Sequence, residues 1–217
     1  EGTITLEFPH LMQLIEYGQF DTVYHEHYSY LSLFSVKRIF EAAGLRIHDL
    51  DLLATHGGSL RVYGSHAGDQ RPISSLVAEI LKKEESFGLQ SLEVYVAFQA
   101  RADKIKDDLL AFLLDQKSSG KLVVGYGAAA KGNTLLNYAG VKPDLLPFIC
   151  DAAESKQGKY MPGSHIPIRP PSALLEHAVD YIMILPWNIA AEVRQQNAHL
   201  QARGVRFVTA IPHMDIL

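Results

Sequence analysis

The sequence predicts an α/β protein with a mostly parallel sheet in its C-terminal part, and three observations point there. From Leu122 onward, short β-rich runs alternate with helical runs, the order that builds parallel strands joined by crossover helices covering both faces. The first of those strand runs ends in Gly125-Tyr126-Gly127-Ala128-Ala129-Ala130, a small-residue turn between a strand and a helix. Hydrophobic residues make up 47% and charged residues 20% of the 217, a globular composition with room for one large domain or two small ones.

The elements follow in order. Residues 3–8 (TITLEF) are β-rich and stop at Pro9, which predicts a buried strand inside a sheet. A short amphipathic stretch (10–16) leads into an aromatic-rich loop over 20–30. Ser35 as N-cap predicts a helix over 36–43, with Ile39 and Phe40 on its apolar face and Gly44 as its stop. Strands over 45–53 and 60–65 flank His56-Gly57-Gly58-Ser59, a turn. The polar break Gly68-Asp69-Gln70-Arg71-Pro72 marks a domain boundary, giving 1–68 and 69–217. Residues 74–118 read as two helices. Beyond them come strand 122–126, helix 128–138, strands 146–150 and 181–185, helix 189–202 and strand 205–208.

A formal net charge of -4 gives no electrostatic reason to expect nucleic acid or an anionic membrane as partner. The single cysteine, Cys150, can form no intramolecular disulfide and no cysteine-rich zinc site, so a reducing, cytoplasmic setting is expected. The apolar runs at 145–150 and 181–186 are too short to span a bilayer. The first residue is not Met, and the sequence reads as a fragment.

Two segments carry chemistry. In the glycine turn, small residues let backbone approach a phosphate, and free N–H groups at the following helix start attract negative charge. Asp151 ends the next strand, where an acid binds a ribose hydroxyl in dinucleotide-binding folds, and Lys131 in the first helical turn favours a nearby anion. Tight helix–sheet packing explains the same small residues equally well. The second segment, Tyr24-His25-Glu26-His27-Tyr28-Ser29-Tyr30, is denser in functional groups than any other stretch. A bare His-x-His without a third ligand is weak evidence for zinc. The remaining readings are an aromatic loop covering the core and a general base, since imidazole titrates nearest working pH.

The segments YHEHYSYLS (24–32), HGGSLR (56–61), GYGAAAKGNTLLNY (125–138), CDAAESKQGKYMPGSHIPI (150–168) and LPWN (185–188) together resemble the sugar C-methyltransferases. That family uses S-adenosylmethionine to methylate C3 of 4-keto deoxysugars attached to a nucleoside diphosphate. The resemblance implies a Rossmann-like domain over 69–217 that binds the nucleotide-sugar, preceded in 1–68 by the last strands and helix of a class I methyltransferase sheet. The family's S-adenosylmethionine site and zinc module are expected mostly upstream of this sequence.

The resemblance also implies roles. His27 is the base that removes the proton beside the ketone, with Glu26 and Tyr24 orienting it or contacting the sugar, and His25 in support. His56 and Arg61 flank the second glycine turn, where the guanidinium would grip the diphosphate; an exposed strand position explains Arg61 as well. Gly125, Gly127, Lys131, Asn133, Lys156 and Asn188 would hold the nucleotide-sugar, and Trp187 either stacks on a base or fills the core edge. The partner is then a small molecule. Two rivals stay open: an NAD(P)-dependent nucleotide-sugar enzyme using Gly125–Ala130 and Asp151, for which no convincing Tyr-x-x-x-Lys pair is present, and a non-catalytic nucleotide-sugar-binding module.

Overall fold

The computed structural model describes residues 2–217, which form two compact units. The first comprises the residues up to Gln19 and Glu26–Ala100; the second comprises Phe20–His25 and Arg101–Leu217.

The first unit is built on an antiparallel sheet of β1 (Ile4–Pro9), β2 (Leu45–Leu53) and β3 (Ser59–His66), in the order β1-β3-β2. As the central strand, β3 has partners on both sides, which is why Leu60 and Val62 are fully buried. Strand β1 lies at the edge of this three-stranded sheet. Of its residues Phe8 alone is buried, so the expected buried strand over 3–8 is mostly exposed. One sheet face is polar: Glu7 sits opposite Arg61 and pairs with it at 2.8 Å, and Tyr63 donates to Asp51 at 2.6 Å. Helices α1 (Leu11–Glu16), α2 (Leu33–Ala42) and α3 (Ser75–Phe87) complete the unit.

Helix α2 starts three residues earlier than the sequence predicts. Its N-cap is Ser32, whose hydroxyl accepts from Ser35 N–H at 3.1 Å. The buried stripe is therefore Leu33, Val36 and Phe40. Ile39, a quarter turn off that stripe at 3.6 residues per turn, is 57% exposed and not part of the apolar face. The same helix end takes a second cap from α3: Glu84, itself buried, accepts from Leu33 N–H at 2.6 Å and Phe34 N–H at 2.9 Å, and shares a 2.7 Å hydrogen bond with His10 Nε2.

The expected boundary at 68/69 falls inside this unit. Val77 and Ile80 of α3 join its core, and the 68–72 stretch is pinned by Arg71, which pairs with Asp69 and reaches Thr3. The units part instead within the long helix α4 (Leu92–Ser118), between Ala100 and Arg101. Its buried stripe runs through Ala102, Ile105, Leu109 and Leu113, while Leu92 and Val96 point to solvent.

The second unit holds a six-stranded sheet of β4 (Val123–Tyr126), β5 (Ile149–Cys150), β6 (Ile168–Arg169), β7 (Tyr181–Ile184), β8 (Arg206–Thr209) and β9 (Asp215–Ile216), in the order β6-β5-β4-β7-β8-β9. Every pairing is parallel except β8 with β9. Both β4 and β7 are buried along their whole length, which accounts for their unbroken apolar runs. Helix α5 (Ala130–Tyr138) follows β4, and a short α6 (Ala173–Glu176) precedes β7. The helix expected over 189–202 is broken into α7 (Ala190–Gln196) and α8 (Ala198–Gln201) at Asn197, whose buried amide donates to Val193 O at 2.8 Å. Among the described residues no helix is long and apolar enough to cross a membrane.

Candidate functional site

The glycine turn after β4 is shaped by protein packing. A Cβ on Gly125 would stand 2.6 Å from Ile149 Cγ1, one on Gly127 2.5 Å from Pro186 Cδ, and one on Gly132 2.7 Å from Leu185 Cβ. Gly127 also sits at φ +89, in the left-handed region, and donates its N–H to Cys150 O at 2.7 Å. These glycines let neighbouring strands and the segment after β7 close up, which is the packing reading of the motif. Asp151 is engaged in the same structure. Its Oδ2 accepts from Ala128 N–H at 2.7 Å and Lys156 Nζ at 3.0 Å, and its Oδ1 from Ala153 N–H at 2.8 Å. Burial opposes its charge, but the Ala153 and Ala128 amides and the Lys156 ammonium outweigh that and hold its carboxyl below the usual range. A carboxylate tied to its own loop is not presented to a ribose, so the NAD(P) reading lacks its acid.

Beside this turn, at the C-terminal ends of β4 and β5, lies a cleft of about 340 Å³ whose lining belongs wholly to the second unit. Its floor is Ala128–Ala130 and the start of α5, where N–H groups of the first turn lack intrahelical partners. Lys156, Lys159 and Tyr160 come from the segment after β5, and Tyr24 and His25 from the aromatic loop. Asn133 also lines it, and its buried Oδ1 has no hydrogen-bond partner among the described residues. Two lysines and a helix start suit an anion; the tyrosine rings offer flat apolar faces.

A buried polar cluster stands next to the cleft. Asp21, fully buried in the turn Phe20–Thr22, accepts from Trp187 Nε1 at 2.8 Å. Lys131, also buried, places its ammonium 4.5 Å from the Trp187 ring centroid and 3.3 Å from Asn188 Oδ1. Burial pushes the Asp21 carboxyl up to about 6, against the Trp187 hydrogen bond and the Lys131 charge. Burial likewise lowers Lys131, against the pull of Asp21. Trp187 thus has a polar role that neither base stacking nor core filling anticipates.

The expected site residues divide between the units. Tyr24, Asn133 and Lys156 meet in the cleft with His25, which sequence reasoning placed only in support; Gly125, Gly127, Lys131 and Asn188 belong to the second unit but do not line the cleft. Glu26, exposed, and His27, half-buried, belong to the first unit. So does His56, exposed in a turn at φ +56, and so does Arg61, whose guanidinium is paired with Glu7 and holds that carboxyl below its usual range. Asp21, Lys159 and Tyr160 were missed. Asp21 carries one usable signal: an acid between Phe20 and the tyrosine-histidine run, in a loop otherwise rich in aromatics. Among the described residues no cluster of three or more His, Cys, Asp or Glu side chains is placed to hold a metal ion.

With this geometry in view, similarity to known proteins defines the class. Residues 54–212 match the family described as C-methyltransferase C-terminal domain. The chain belongs to the C-methyltransferase family. Over all 217 residues it is 36% identical to the C-methyltransferase NovU of Streptomyces niveus, covering 100% of this chain and 52% of that protein. The chain therefore spans about half the length of the curated relative it matches.

Proposed function

We propose that this chain is the C-terminal portion of an S-adenosylmethionine-dependent enzyme that methylates C3 of a 4-keto deoxysugar carried on a nucleoside diphosphate, in the cytoplasm. The observation that carries the proposal is the cleft of the second unit, where Lys156, Lys159 and the start of α5 face Tyr24 and His25. Its cationic and hydrogen-bonding groups suit the diphosphate, and its aromatic rings suit the base or sugar. The strand order β6-β5-β4-β7-β8, with crossovers on either side of β4, supports a Rossmann-like reading of this unit, and such sheets bind ligands at the strands' C-terminal ends. The β1-β3-β2 sheet is read as the last strands of a methyltransferase domain.

Carbon becomes a nucleophile only when the proton beside the ketone is removed. His27 takes the C3 proton, the C3–H electron pair moves into the C3–C4 bond, and the ketone oxygen gains the negative charge of an enolate. Glu26 orients the imidazole and Tyr24 contacts the sugar. The methyl donor is a sulfonium cation, and a cleft flanked by two lysines does not fit it; no described residue is assigned to the donor, and the share of these residues ends at the enolate.

The test uses the full-length enzyme. With His27→Asn, methyl transfer is expected to fall by about two to four powers of ten, the usual contribution of a placed base. Exchange of the C3 proton with deuterated solvent, measured without methyl donor, is expected to fall with it. Parental exchange in the variant removes His27 as the base.

A further inference from the structure

The cleft wall formed by Tyr24 and His25 has no strand or helix of its own. It continues from Phe20–Thr22, and that turn is held on the second unit by two side chains. Phe20 packs on Tyr138 of α5 with ring centroids 5.1 Å apart. Asp21, with no exposed surface, takes the Trp187 indole hydrogen bond on Oδ2, while its Oδ1 is buried without a hydrogen-bond partner among the described residues. An ionisable group is a poor choice for a merely structural plug, because burying it is costly unless its charge is answered. Here the answer comes from Lys131, at the start of the helix that floors the cleft.

We infer that Asp21 is a positioning residue which, through Trp187 and Lys131, docks the Phe20–His25 stretch on α5 and so fixes Tyr24 and His25 as a wall of the nucleotide-sugar cleft. The substrate named here rests on the function proposed above; the docking does not. The groups able to answer or mimic the Asp21 charge are few. Lys131 is the one charged side chain of α5, the Tyr138 hydroxyl is hydrogen-bonded to Asp103 of α4, the Asp21 and Thr22 amides add to the Trp187 hydrogen bond, and the stretch itself carries Tyr24 and His25 besides Asp21.

Trp187 is the single tryptophan, so its emission reports the docked turn directly. The emission of this 217-residue chain is expected to change on titration with a midpoint near pH 6. The transition should vanish in Asp21→Asn, move to higher pH in Lys131→Met, which removes the opposing charge, and persist in His25→Gln. A parent-like titration in Asp21→Asn overturns the inference, as does its loss in His25→Gln alone.

Thymidine diphosphate binding, read by calorimetry, gives the second measurement. Asp21→Ala is expected to weaken it roughly five-fold or more and to speed amide exchange at residues 22–25; Asp21→Asn serves in its place if the alanine variant does not fold. Parent-like binding and exchange overturn the positioning role. A parent chain that shows the emission transition but binds no nucleotide keeps the docking and removes the substrate reading of the cleft.

Discussion

Two aspartates near the cleft respond to pH with opposite sign. Burial pushes the Asp21 carboxyl up to about 6, so the folded chain holds its proton more tightly than the unfolded chain does. Its contribution is fully present below about pH 4 and is lost as pH rises through about 6, on the order of 3 kcal/mol. Asp151 is lowered, so its contribution is present above the ordinary carboxylate range and is lost as pH falls through its folded value. Urea midpoints near pH 5 and pH 7 should therefore differ less in Asp21→Asn than in the parent, and Asp151→Asn should cost about 1–3 kcal/mol at neutral pH. Gly127→Ala adds a Cβ 2.5 Å from Pro186 Cδ at φ +89, and a destabilisation on the order of 1–3 kcal/mol is expected from the same urea titration. A pocket-facing glycine would instead have tolerated the methyl group and lost ligand.

Secondary structure was readable where it is long and periodic. Strand β2 spans 45–53 as expected, and the two helices α3 and α4 fall within the predicted helical stretch. Strand β5 keeps only the last two residues of the strand expected over 146–150, and β6 and β9, of two residues each, are too short to display any period and are defined by sheet neighbours rather than local sequence. The start of α2 was misplaced because half of its capping comes from Glu84, far along the chain. Glu84→Ala leaves His10 and two helix amides without their buried acceptor and is expected to cost about 3 kcal/mol by denaturant unfolding, with a smaller loss in Glu84→Gln. Near-complete retention of stability in the alanine variant would show that Ser32 caps the helix alone.

Across the whole molecule, the His-Glu-His segment stood out in sequence because chemically active side chains are crowded there, and two of its seven residues, Tyr24 and His25, line the cleft. The supports of that cleft did not stand out. Asp21 and Trp187 are 166 positions apart, and no local pattern links them. The boundary expected at 68/69 differs from the division into compact units for a related reason: Gly and Pro at 68–72 punctuate the chain, yet Arg71 pins that loop, while the compact units part within an uninterrupted helix. The polypeptide passes from one unit to the other after Gln19, returns after His25 and leaves again after Ala100. A gene cassette beginning at Arg101 would thus deliver a receptor missing part of its own rim, and any chimera built by exchanging substrate modules between homologous enzymes has to transplant Phe20–His25 from the same donor.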